Sequence, residues 1–518
     1  MSQVSFDQFK KNLCACDDIG LWLDTSRMKF DDAFMESMSG AIAKALDDMA
    51  ALESGAIANP DEHRMVGHYW LRNPQCAPSD DIRCDIVTTQ QRIADFVQKI
   101  HHGTILAPNG QKFTDLLVIG IGGSALGPQF IADALATHDD KMRVHFLDNT
   151  DPQGIESTLS AIEHLDTLLV VVISKSGSTP ETRNGMISTA HYLQTHGLNL
   201  PSRAIAITGT GSLLDQQAQS EGWIDRFPMW DWVGGRTSLF SAVGLLPAAL
   251  QGLDTDALAT GARRCDAHTR NRDIRQNPAA LMALMWFHAT DGKGLKDLVM
   301  LPYKDKLLLF SRYLQQLIME SLGKALDLDG NPVHQGLTVY GNKGSTDQHA
   351  YVQQLRDGIH NFFVTFIDVL QDGANPIEVA PDITPGDYLH GFYLGTRQAL
   401  ADSGRESLSI IVRRIDAQTI GALIALFERT VGLYASLIHI NAYHQPGVEA
   451  GKKAASCILS LQTRILSALL APASAHQLAI SLNEDEENVY RILTYLSENG
   501  RIKASSPHFD DFDRTFSR

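Results

Sequence analysis

Short runs of apolar and β-branched residues recur along the chain, each followed by a segment of helical length. Leu116–Ile121, Val144–Leu147, Leu168–Ile173 and Ala204–Thr208 form one series. A second starts at Asp297, with Leu298–Leu301, Thr338–Tyr340, Phe362–Val369 and Ser409–Val412. Continuous apolar runs suit strands buried on both faces, and their alternation with helices predicts doubly wound parallel sheets. The pattern therefore divides into two α/β domains of similar design, 106–290 and 291–455. Residues 1–105 read as a helical segment that packs on the core. Asp31–Leu52 carries Phe34, Met38, Ile42, Leu46 and Met49 at helical spacing, and His63–Arg72 is a shorter helical candidate. Residues 456–518 read as a small helical appendage. It comprises helices over Thr463–Leu470, Ala475–Ser481 and Asn483–Leu496, then a strand at Arg501–Lys503, with Asn483 and Glu486 as a capping box. This order resembles a winged-helix module. Its would-be recognition helix opens Glu484-Asp485-Glu486-Glu487, which repels nucleic-acid phosphates, so packing or subunit contact is the expected role.

Composition adds exclusions. The 518 residues are 44% hydrophobic and 20% charged, with a net charge of −16. That balance argues against a general nucleic-acid or anionic-membrane binder, though not against a local pocket for a small phosphate. Cys14, Cys16, Cys76, Cys84, Cys265 and Cys457 form no CxxC pair and read as free thiols. The start, MSQVSFDQFKKNL, lacks the apolar core of a signal peptide, and Gly421–Ile440 carries Glu428 and Arg429, as a buried core helix does. A cytoplasmic protein without membrane partners is expected.

Candidate chemistry lies where strands stop. In TLLVVVISKSGSTPET (167–182) a buried strand ends at Ser174, and Pro180 opens a helix. Ser174, Lys175, Ser176 and Thr179 would bring hydroxyls and one ammonium to backbone N–H groups at a helix start, an anion site by local geometry. A plain αβ turn with a helix cap explains the same residues. Gly120-Ile121-Gly122-Gly123-Ser124-Ala125-Leu126-Gly127 satisfies G-x-G-x-x-[GA] through Gly120, Gly122 and Ala125, and Asp148 ends the next strand, which imitates a dinucleotide fingerprint. Pro128 and the second hydroxyl-rich turn fit a compact sugar phosphate better. Arg236, in WDWVGGRTS (230–238), either faces a ligand or bridges a carboxylate. Gln316, Glu320 and Lys324 fall at i, i+4 and i+8 of an expected helix over Leu307–Ala325. Glu320 is then a base in a site or half of a solvated Glu–Lys pair, and spacing by itself favours the pair. His349 and Lys452 stand in glycine-rich polar turns with little to mark them individually. No His, Asp and Glu residues show metal-ligand spacing.

Together the segments say more. GIGGSALGP (120–128), SKSGSTPET (174–182), WDWVGGRTSLFSAVGL (230–245), QQLIMESLGK (315–324), GSTDQHA (344–350) and HQPGVEAGK (444–452) stand in the order of the phosphoglucose isomerase (glucose-6-phosphate isomerase) family, which the chain resembles over roughly residues 60–455. The resemblance implies two SIS-type α/β domains, usually paired in a homodimer. It implies that Ser174, Lys175, Ser176 and Thr179 bind a substrate phosphate, although SKSGST departs from the SKTFTT form of many members. Gly123 and Ser124 would lie against the sugar, with Gln316 and Gln445 as further contacts. It assigns the general base to Glu320, ring opening to His349 and Lys452, and stabilisation of the intermediate to Arg236. In family dimers the histidine comes from the other subunit, so His349 would complete its neighbour's site.

The residue types suit interconversion of glucose 6-phosphate and fructose 6-phosphate. Ring opening needs proton exchange between ring oxygen and anomeric hydroxyl, and a base must then move one proton between C2 and C1 through a cis-enediol. No metal or organic cofactor is required. Alternatives are an isomerase that also accepts mannose 6-phosphate, a sugar-phosphate-binding SIS regulator with the tail as output, and an NAD(P)-dependent oxidoreductase using the first glycine turn. The acidic tail helix and full catalytic set count against the regulator, and the oxidoreductase leaves the SKSGST turn and Glu320 unexplained.

Overall fold

The computed structural model describes residues 5–373 and 377–518, and the side chains of 448–450 and of Lys452 lie outside the described residues. Two compact units divide at His444/Gln445. In the first unit, β1 (Leu13–Cys16) and β2 (Leu21–Arg27) precede β3 (Asp115–Ile119), β4 (Arg143–Leu147), β5 (Leu168–Ile173), β6 (Ala204–Thr208) and β7 (Asp225–Pro228). Strands β3 to β7 form a parallel sheet in the order β4-β3-β5-β6-β7. Every residue of β3, β5 and β6 is buried, as the unbroken apolar runs require. The strand order reverses between β3 and β5, so turns leaving their carboxyl ends flank the crevice where α/β sheets bind ligands.

Then come β8 (Asp297–Pro302), the hairpin β9 (Lys324–Leu326) and β10 (Pro332–Gln335), β11 (Val339–Tyr340), β12 (Phe362–Val369) and β13 (Ser407–Val412). The second sheet runs β1-β2-β13-β12-β8-β11, parallel among β8, β11, β12 and β13. Its far edge differs from the sequence expectation. Residues 1–105 are not only helical: β1 and β2 form an antiparallel hairpin that pairs with β13, Leu23 opposite Ile410. Leu21 and Leu23 gain burial there that an isolated helix would not give them. The expected Asp31–Leu52 helix divides at Met38 into Asp32–Ser37 and Ser39–Glu53. His63–Arg72 is no α-helix: only Trp70–Arg72 makes a 3₁₀ turn, and the Gly67 N–H donates instead to the Trp232 carbonyl, 2.9 Å away. Within the expected helical segment, Asp80–His102 forms a 23-residue helix between a Ser79 cap and a left-handed Gly103.

Ala417–Leu437 is apolar and long enough to cross a membrane by composition, yet Thr419–Ala435 are all buried within the unit, against Thr255–Thr269 and Pro278–Thr290.

The second unit opens with helix Pro446–Ala468, of which the expected Thr463–Leu470 helix is the end. β14 (Ala473–Ser474), helix Ala475–Leu482, helix Glu486–Glu498, β15 (Lys503–Ala504) and β16 (Thr515–Ser517) follow, with strand order β14-β16-β15. The helix–strand–helix–helix–strand–strand order is that of a winged helix, closed over its own core of Ile465, Leu478, Val489, Leu493 and Phe516. The capping differs from expectation. Asn483 is the left-handed C-cap of one helix and Asp485 caps the next, while the capping box lies at Ser474 and Gln477.

Candidate active site

Two turns leave the carboxyl edge of the first sheet side by side. After β3 the chain makes a tight turn at Gly122–Ser124, with Gly122 at φ +58°. A Cβ on Gly123 would stand 1.9 Å from the Gly235 carbonyl oxygen, so only glycine lets this turn close against the Gly235–Thr237 turn. Gln316 brings its amide nitrogen over Gly122. After β5, Ser174 Oγ accepts from the Gly177 N–H at 3.1 Å, and Ser176 Oγ accepts from the Ser178 N–H at 3.2 Å. Thr179 is the N-cap of the 16-residue helix Pro180–Thr195, yet its hydroxyl makes no capping bond. The first-turn N–H groups of that helix keep their donors available, as anion binding requires.

Lys175 ties this turn to the tryptophan loop. Its Nζ lies 3.3 Å and 3.4 Å from the Asp231 and Val233 carbonyls and 3.4 Å from the Asp231 carboxylate. Burial pulls the ammonium down from the usual lysine range, with Asp231 opposing; Arg64 and Glu62 also act on it, in opposite senses. The loop is braced by Trp230 stacked on Trp232 at 5.0 Å and by Trp232 against Trp70.

Arg236 and Glu320 meet at the centre. Arg236 is 7% exposed; Nη1 donates to the Ala442 carbonyl (3.0 Å) and Nη2 to the His444 carbonyl (3.1 Å). Its Nε lies 3.6 Å from Glu320 Oε2 and makes no hydrogen bond. Burial lowers the guanidinium from its ordinary range and Glu320 opposes the shift. The expected solvated Glu320–Lys324 pair does not form. The helix passes from α (Phe310–Leu314) into a π turn (Gln315–Glu320), and Lys324 already belongs to β9. Lys324 is buried and its Nζ donates to the main-chain carbonyls of Glu320 and Ser321. A regular 3.6-residue period was assumed; the π turn and Gly323 break it.

The structure thus brings together Gly123, Arg236, Gln316 and Glu320, and links Lys175 to the Asp231–Val233 part of the same loop. His349 ends the 3₁₀ turn Thr346–His349 and is exposed, with no hydrogen bond to Glu320 or Arg236 among the described residues. Gln445 and Lys452 belong to the second unit, and the Lys452 side chain lies outside the described residues. The 59–64 loop escaped the sequence reading: Asp61 lies 3.8 Å from His444 Nδ1 and accepts from Asn441, and Arg64 pairs with Glu62 at 3.1 Å. Its signal, Asn-Pro-Asp-Glu before an arginine, is indistinguishable from a surface turn. Asp148, the apparent ribose ligand, is instead engaged by Gln129 (2.9 Å) and Arg312 (3.2 Å). Among the described residues no three His, Cys, Asp or Glu side chains gather to hold a metal ion.

Residues 24–384 and 397–468 match the sequence model of phosphoglucose isomerase. The chain belongs to the phosphoglucose isomerase family. It is 57% identical over 506 residues to a glucose-6-phosphate isomerase of Citrifermentans bemidjiense, covering 96% of each chain. A glucose-6-phosphate isomerase of Nostoc sp. is 58% identical over 508 residues, again 96% of each. Among solved structures, a glucose-6-phosphate isomerase from Chlamydia trachomatis superposes with a TM-score of 0.80 at 25% identity, covering 89% of this chain and 92% of that one. The parallel α/β architecture read from the sequence is therefore that of the family.

Proposed function

We propose that this member of the family catalyses the reversible isomerisation of glucose 6-phosphate and fructose 6-phosphate. The observation that carries the reading is Glu320 facing an unbonded Arg236 Nε beside the glycine turn, at the switch point of the first sheet. In this reading the phosphate binds Ser174, Lys175, Ser176 and Thr179, and its binding energy positions the reacting carbons. Glu320 takes the C2 proton and returns it to C1, and Arg236 Nε supports the charge that develops on the enediolate. Gly123, Ser124, Gln316 and Gln445 contact the sugar, and His349 with Lys452 opens the ring. Sheet-centred domains at 106–290 and 291–455, a homodimer in which His349 serves the neighbouring site, and a cytoplasmic location belong to the same proposal. Sedimentation as a monomer at working concentration would remove the dimer.

A coupled assay of fructose 6-phosphate conversion tests the base. Glu320→Gln should lower kcat by at least ~10²–10⁴-fold, the usual worth of positioned acid–base help, while a substrate-analogue phosphate still binds. Near-wild-type turnover would sink the assignment.

A further inference from the structure

Lys324 is a charged residue for which the family resemblance supplies no role, and its setting is unusual. It is 4% exposed, and its Nζ lies 2.7 Å from the Glu320 carbonyl oxygen and 2.8 Å from that of Ser321. Carbonyls at the end of a helix lack intrahelical donors. Here the chain turns away at Gly323, and the ammonium supplies what the missing turn would have given. On the side-chain side of the same two residues stands Arg236, with Nε 3.6 Å from the Glu320 carboxylate and Nη1 3.4 Å from Ser321 Oγ. One cation therefore grips residues 320–321 by their main chain while another faces their side chains. The π turn just before them is a feature that concentrates at functional sites.

We propose that Lys324 is a positioning residue for the isomerisation: it fixes the main chain beneath Glu320 so that the carboxylate stays opposed to Arg236 Nε. This rests on Glu320 acting as the base. The lysine nitrogen is suited to the task because it donates to two carbonyls at once, where an apolar side chain of similar length leaves both unsatisfied. The charged groups facing it are Arg236 and Glu320, with Asp61 from the 59–64 loop and His444 beyond Arg236. A displacement of the carboxylate by about 1 Å suffices to cost ~10²-fold in rate.

The test compares Lys324→Met, Lys324→Gln and Glu320→Gln in the full chain, reading kcat and KM with fructose 6-phosphate. Lys324→Met should lower kcat by ~10–100-fold with KM within about threefold. Lys324→Gln keeps a donor at this position and should recover part of kcat, as a positioning role requires. Turnover of Lys324→Met within about twofold of wild type, or a loss carried by KM rather than by kcat, overturns the proposal. So does failure of both variants to fold, which would make Lys324 a folding residue. The parent reading is separable: an active Glu320→Gln sinks the base assignment and this inference with it. An inactive Glu320→Gln beside a normal Lys324→Met sinks the inference only.

Discussion

Two clusters of buried charge in the same unit are built on opposite terms. Between helices Thr255–Thr269 and Ala417–Leu437, Asp266 accepts from Arg72 Nε and Nη2 at 2.7 Å and 2.9 Å and from Arg429 Nε at 2.9 Å. Arg72 also donates to Glu428, Arg429 to Glu53, and Arg270 to Glu53. The Arg429 guanidinium lies over the Tyr69 ring, 3.8 Å from its centroid. At the candidate site Arg236 instead meets Glu320 at 3.6 Å without a hydrogen bond. Charges locked in bidentate pairs have little left to offer a ligand. Arg429 Nη1 and Glu428 Oε1 are also unbonded in the first cluster, but both groups are already paired; Arg236 and Glu320 have their pairing still to make, and charge-assisted bonds to a substrate can complete it. The slackness of the pair, more than the presence of charge, distinguishes the site from the scaffold.

The sharpest way to break this contrast is Asp266→Asn. Removing the anion shared by Arg72 and Arg429 leaves two buried guanidiniums undercompensated, and the expected loss is about 3–5 kcal/mol of stability, read from urea or thermal midpoints. Burial by itself would raise the Asp266 carboxyl, but Arg429 and Arg72 outweigh it and hold the group well below its ordinary value of 3.8. The stability it contributes is therefore present above about pH 4 and lost as pH falls further. An unchanged midpoint in the variant would mean that the network is ornamental to the fold.

Arg236→Lys should produce the reverse signature. A lysine cannot hold the Ala442 and His444 carbonyls in a fork while also offering Nε, so the charge stays and the geometry goes. We expect kcat to fall ~10²-fold, as for loss of one donor to a developing oxyanion, with a far smaller drop in midpoint than for Asp266→Asn. Equal destabilisation by the two variants would erase the distinction between site and scaffold.

One step smaller is Lys175→Met. Its side chain is 33% exposed and its contacts are confined to the Asp231–Val233 loop. A rise in KM of about tenfold, one charge-assisted phosphate contact, is expected with kcat and stability little altered. Unchanged KM would remove Lys175 from the phosphate site.

These residues also show what a sequence makes legible. Strands β3 to β6 of the first sheet and β8, β11, β12 and β13 of the second could be read from their apolar runs, and Ser174–Thr179 stood out because a hydroxyl-rich turn interrupted one of them. β1 and β2 could not be read: their burial comes from β13, almost 400 residues later, and nothing local announces it. The family motifs named Glu320 and Arg236 without revealing how they meet. Helical spacing misplaced Lys324 because a π turn and Gly323 intervene, and backbone geometry of that kind leaves no periodic trace. The buried network was invisible for a related reason. Arg72 and Asp266 lie in distant segments and each alone reads as a surface charge; the helix carrying Glu428 reads as buried, but nothing in it names its partners.

Lys324 offers the finest test of the contrast, because the two clusters should declare themselves at opposite ends of the pH scale. Burial, with Arg236 adding to it, pushes the Lys324 ammonium from its ordinary 10.5 down to about 7. Between those values the unfolded chain still holds a proton that the folded chain has released, so this group makes stability rise with pH across that window. Replacing it by methionine abolishes that rise. The stability of wild type relative to Lys324→Met, measured by urea unfolding at intervals from pH 7 to pH 10, should therefore grow steadily. The difference between wild type and Asp266→Asn should stay flat over the same range, since the Asp266 carboxyl has completed its titration well below it. A flat Lys324 difference would mean that the ammonium is well solvated in the folded protein. The site would then lose one of the features that separate it from the scaffold, a lysine whose burial costs stability near neutral pH.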